Sequence, residues 1–155
     1  MRLSEQFKFV PVGASIDISG GITGDSINME GYHSCTFVIM GTTTDWTASP
    51  DIIVYEAASD GGTTAAVTFT YRQADAAIGS ASCDVLGAAA TSAELDLGAD
   101  NEGVMTIIEI QANEMTDGYN WLTLSVDADA SAGGMTILAI LEPRYPQNII
   151  ATALT

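Results

Sequence analysis

Positive charge is what this chain has least of. Four Lys and Arg stand against 20 Asp and Glu in 155 residues, a formal net charge of -16. A chain so short of cations cannot neutralise a phosphate backbone and is repelled by an anionic leaflet, so nucleic acid and membrane surfaces are excluded as partners. There is one histidine, His33, which leaves any Ser-His-Asp or Cys-His mechanism a single residue to turn on. The longest apolar runs, about five or six residues, fall well short of the roughly 18 needed to span a bilayer. No glycine-rich phosphate loop, metal-spaced Cys and His cluster or Asn-x-Ser/Thr acceptor is present.

Cysteine is scarce too, with only Cys35 and Cys83. Met1-Arg2-Leu3-Ser4-Glu5-Gln6-Phe7-Lys8 has none of the continuous apolar character of a secretory signal, so the expected state is two free thiols in a protein made in a cytoplasm. A Cys35–Cys83 pair stays open. No fixed-period repeat, charge run or Pro-rich linker divides the chain, and its length suits one core. Residues 14–155 are read as a single domain, with 1–13 as an N-terminal arm or first strand.

What is there is alternation. Val67, Phe69 and Tyr71 alternate with Thr68, Thr70 and Arg72, and Leu122, Leu124 and Val126 with Thr123, Ser125 and Asp127, the period of half-buried strands. Cys35 to Met40 and Met135 to Leu141 are apolar at both parities, which predicts central strands covered on both faces by a second layer or a neighbouring subunit. Further strands are expected at Phe7 to Val12, Ile16 to Ile18, Ser26 to Met29, Ile52 to Ala57, Ser82 to Leu86, Ala93 to Leu97 and Val104 to Ile110. Glycine-rich turns separate them at roughly 8 to 12 residues, the spacing of a β-sandwich or barrel. The fold expected is all-β, a jelly-roll-like two-sheet β-sandwich. An immunoglobulin-like sandwich is the second choice; against it, Trp46 lies in loop-like Thr42 to Thr47, so no strand Trp stands between the cysteines. The small-residue stretches Ala74 to Ala81 and Leu86 to Ala93 are read as loops.

Candidate chemistry is thin. Cys35 lies two residues from His33 and on the same strand face, but no third group orients the pair, and a packing role is expected. Asp127-Ala128-Asp129-Ala130-Ser131-Ala132-Gly133 begins like a calcium loop, then places its glycine one position late and Leu138 where a bidentate Glu belongs. Asp100, Asn101 and Glu102 form a second acidic turn. No metal, cofactor or catalytic residue is assigned. Trp46, Tyr119 and Trp121 near turns keep a carbohydrate-binding or adhesin-type module as the alternative reading. Arg2 and Lys8 make the N-terminal segment net positive beside an acidic body, and Phe7, Phe9 and Val10 give it an apolar stripe, the makings of an arm that adds to another chain.

Three segments carry a resemblance. They are Phe9-Val10-Pro11-Val12-Gly13 leading to Gly24-Asp25-Ser26-Ile27-Asn28-Met29-Glu30-Gly31-Tyr32-His33 and the strand Thr36 to Gly41; Ile53-Val54-Tyr55-Glu56-Ala57-Ala58-Ser59-Asp60-Gly61 before Val67 to Arg72; and Ile137-Leu138-Ala139-Ile140-Leu141-Glu142-Pro143-Arg144-Tyr145-Pro146. In layout the chain resembles the head decoration, or cement, proteins of tailed bacteriophages. The resemblance implies a non-enzymatic jelly-roll or related β-protein on the outside of a virion head, bound to the major capsid protein lattice and commonly trimeric. Arg2, Phe7, Lys8, Phe9, Arg144 and Tyr145 are the expected partner-binding residues. The apolar strands Cys35 to Met40 and Met135 to Leu141 are the expected contact of a homotrimer.

Overall fold

The computed structural model describes residues 2–41, 49–98, 103–128, 133–145 and 153–154, without the side chains of 14–16. A single helical turn, α1 (Leu3–Gln6), is tied by the Glu5 carboxylate, which accepts the Arg2 backbone N–H at 3.3 Å. Twelve strands follow among the described residues: β1 (Lys8–Asp17), β2 (Ile22–Thr23), β3 (Ile27–Asn28), β4 (Tyr32–Gly41), β5 (Asp51–Ala57), β6 (Ala65–Ala66), β7 (Phe69–Ala77), β8 (Ala90–Ser92), β9 (Glu94–Asp96), β10 (Val104–Gln111), β11 (Trp121–Val126) and β12 (Gly134–Pro143).

All the pairings are antiparallel. The front sheet runs β1-β12-β4-β10-β7-β8. The back sheet is built on β11 and β5, with β2 and β3 end to end along the outer edge of β11 and β6 and β9 end to end along that of β5. Followed along the chain with β7 and β8 set aside, the strands pass from β1 in front to β2 and β3 behind, β4 in front, β5, β6 and β9 behind, β10 in front, β11 behind and β12 in front. That alternation is the strand order of a jelly roll, and it excludes the immunoglobulin-like option. The β7–β8 hairpin is an addition to this plan, widening the front sheet beyond β10.

The alternating segments form the core as their period dictates. Cys35, Phe37 and Ile39 from β4, Ile108 and Ile110 from β10, and Met135, Ile137, Ala139 and Leu141 from β12 face Ile52 and Val54 from β5 and Leu122, Leu124 and Val126 from β11. Each such Ile, Leu or Phe contributes roughly 1.5–3 kcal/mol by leaving water. Ile16 to Ile18 is not a separate strand: β1 reaches Asp17 through two irregularities, between Pro11 and Gly13 and between Gly13 and Ile16. Pro11 has no N–H to give, which suits the edge position of β1.

Three further expectations need correction. Ser82 to Leu86 is not a strand but a run of turns, with the Cys83 N–H on the Ser80 carbonyl and the Val85 N–H on that of Ser82; its contact with the ladder is a single bridge, Leu86 opposite Ala74, with the Val85 carbonyl accepting the Asp75 N–H at 2.9 Å. Ala74 to Ala81 is not all loop, because β7 continues through Ala77, which stands opposite Val104. Nor is Leu86 to Ala93, since Ala90–Ser92 pairs with Phe69, Thr70 and Tyr71. Alanine has little strand preference of its own, and in both places a neighbouring strand decides.

Candidate interaction surface

The front sheet has a second apolar face. On β12, Met135, Ile137, Ala139 and Leu141 point to the core, so Leu138 and Ile140 point out; on β4 the outward residues are Thr36, Val38 and Met40, and on β10 they are Met105, Ile107 and Glu109. The register aligns them in rows across the strands. Pro11, Leu138, Val38 and Ile107 stand side by side, ending at Arg72 on β7. One row along are Phe9, Ile140, Thr36, Glu109 and Thr70, and on the other side Thr136, Met40 and Met105. Eight apolar side chains are thus contiguous, and among the described residues the charges in these rows or at their ends are Glu109 inside the field, Glu142 at one end and Arg72 at the far side. Pro11 is exposed and the other seven are half-buried.

The back sheet has the opposite character at one end. Asp51 opens β5 opposite Asp96 on β9, and the Asp127 N–H donates to the Asp51 carbonyl at 3.0 Å. Carboxylate oxygens of Asp51, Glu94 and Asp127 lie within 4.8 Å of one another. Burial, then the charges of Asp96 and Asp127, push the Asp51 carboxyl above its ordinary range. Among the described residues these are the carboxylates grouped closely enough to share a cation, in the oxygen-only chemistry that calcium or magnesium takes. Asp129 of the Asp127 turn, and the acidic turn Asp100, Asn101 and Glu102, lie outside the described residues.

The expected partner-binding residues gather at one end of the front sheet, because β1 begins there and β12 ends there, with Lys8 opposite Leu141. Arg2 is exposed ahead of α1, Phe7 is half-buried at its end, and Phe9 faces outward opposite Ile140. From Lys8 onward the segment pairs with this chain's own β12. Arg144 is engaged: its backbone N–H donates to the Gly31 carbonyl at 2.8 Å and its Nε to that of Tyr32 at 2.9 Å. Tyr145 is 73% exposed. Arg72 is also engaged, Nη1 donating to the Gly87 carbonyl at 3.0 Å. Of this set only Phe9 belongs to the apolar rows. The sequence had signalled β4 and β12 by their apolar residues at both parities; Val104, Met105 and Ile107 on β10 carried the same signal.

Other candidates come apart in three dimensions. Cys35 is fully buried, and desolvation pushes its thiol far above the ordinary range, while His33 is exposed at the start of β4. Cys83 lies in the turns after β7, and both cysteines are free. Trp121 opens β11 between Asn28 and Ala57, half-buried and central in its sheet, with Tyr119 two residues earlier in a turn. Trp46 lies outside the described residues. Among the described residues no helix is long and apolar enough to cross a membrane.

Neither a protein-family model nor a curated protein matches the sequence. Among solved structures, the crystal structure of the SPBc2 prophage-derived protein YomS is similar, with a TM-score of 0.52 over 87% of this chain and 91% of that one. At 10% identity the likeness is one of fold.

Proposed function

We propose that this protein is a non-enzymatic structural component of a phage virion, which binds the outside of the assembled head and stabilises it. The observation that carries the reading is the apolar outer face of the front sheet, three rows deep on a chain whose surface is otherwise acidic. A face of that kind is the mark of a surface that meets another protein. The jelly-roll likeness to a prophage-derived protein and the resemblance to decoration proteins support the same reading.

The mechanism is mass action. A protein that binds the mature shell and not its dissociated subunits stabilises the shell by RT ln(1 + [L]/Kd) at every occupied site, and no reaction step is required. Net negative charge keeps the free protein soluble while it accumulates before assembly. The test mixes purified protein with undecorated, expanded heads of the phage that encodes it and sediments the particles. Saturable co-sedimentation, with a rise in the temperature at which the heads come apart, is expected. Absence of binding at micromolar concentration contradicts the reading.

A further inference from the structure

The apolar rows can be covered by a second copy of the chain or by a surface of different composition, and area and charge decide between them. Four strands about 4.8 Å apart and three rows about 6.8 Å apart give the field a footprint of roughly 400 Å². A stable pairwise interface takes about 800 Å² from each partner, so apolar contact through this field alone makes a weak complex. Charge must supply the remainder. The field holds Glu109, exposed, and is bounded by Glu142, also exposed, whose carboxylate accepts the Ser34 hydroxyl at 3.2 Å. Within the outward rows the one cation among the described residues is Arg72, drawn to the Gly87 carbonyl, while Lys8 and Arg144 lie outside the rows at the Glu142 end. Two copies meeting face to face bring acid to acid on bodies of net charge -16 each.

Resting on the decoration reading, we propose that the outer face of the front sheet docks on a flat apolar patch of the head shell bordered by Lys and Arg. Leu138, Val38 and Ile107 form the centre of the contact, where water is excluded and truncation or charge is felt most. Glu109 and Glu142 meet the basic border and set orientation and salt dependence. The homotrimer contact expected from these same strands is the competing occupant.

The experiment measures binding isotherms on undecorated heads for the wild type, Val38→Lys, Leu138→Lys, Glu109→Lys and Ile53→Lys, each checked for an unchanged melting transition. Ile53 faces outward on the back sheet and serves as the control. The expected result is a tenfold or larger loss of affinity for Val38→Lys and Leu138→Lys, a several-fold loss for Glu109→Lys, none for Ile53→Lys, and weakening of wild-type binding by added salt. A footprint needs no variant: Met40 and Met105 lie in the field while Met29 and Met135 are core residues, so peroxide oxidation of Met40 and Met105 should slow on head-bound protein. Heads that bind wild type and the Lys variants equally, with Met40 and Met105 oxidised as fast as in free protein, overturn the docking face and leave the decoration reading standing. Tighter binding by Glu109→Lys overturns the basic border. A dimer or trimer in native mass spectrometry that Val38→Lys dissolves and Glu109→Lys strengthens assigns the face to a second copy and overturns the proposal. Wild type that binds no heads removes the decoration reading itself, and the docking partner with it.

Discussion

Glu56 and Thr116 close the loop between β10 and β11 onto the back sheet. The Glu56 carboxylate, 5% exposed at the inner end of β5, accepts the Thr116 backbone N–H at 2.8 Å and the Thr116 hydroxyl as well. Glu56→Ala removes both bonds, but Thr116 is exposed and water can take its donors, so the cost should be roughly 0.5–1.5 kcal/mol of folding free energy. Glu56→Gln keeps an acceptor oxygen and should cost less. Denaturant unfolding of the two variants measures the difference, and an Ala variant as stable as wild type contradicts this account of the loop.

Asp51 makes a prediction of opposite sign. Its folded-state carboxyl is raised above the ordinary 3.8 by burial first and then by Asp96 and Asp127. The folded protein therefore binds that proton more tightly than the unfolded chain, and stability is lost as pH rises from 3.8 through the folded value. Asp51→Asn removes the loss. The variant should melt above wild type at neutral pH, by a wider margin at low ionic strength, and the margin should close below pH 3.8. Thermal melts across pH and salt measure it; a variant less stable than wild type at neutral pH contradicts the assignment.

The two thiols should separate cleanly in labelling. Cys35 is fully buried with its thiol pushed far up, whereas Cys83 is partly exposed in a turn, so native protein should react with one equivalent of an aromatic disulfide reagent and unfolded protein with two. Mass spectrometry should place the native label on Cys83. Rapid native labelling of Cys35 contradicts the burial that the front sheet gives it.

The jelly roll was legible wherever one face is buried, because alternation then declares itself. Leu122, Leu124 and Val126 are all core residues, as their spacing says, and so are Cys35, Phe37 and Ile39 within a run that is apolar at both parities. Short edge strands were not legible. Ala65–Ala66 and Ile22–Thr23 are held by Tyr55, Glu56, Ser125 and Val126 rather than by any preference of their own. Ser82 to Leu86 misled because five residues carry too little period to tell a strand from a turn. The interaction surface was half legible. Apolar residues at both parities on β4 and β12 announced a second face, but the alignment of Val38 with Leu138 and Ile107 is a matter of register between distant segments, which no local pattern specifies.

The orientation of the protein on the particle tests the central claim most directly. A cryo-electron microscopy map of heads carrying the protein should place the outer face of the front sheet, with Leu138, Val38 and Ile107, against the shell, and turn the back sheet, with Asp51, Glu94 and Asp127, to solvent. A map in which the front sheet's outer face stands free in water while the protein is held through its back sheet contradicts the account.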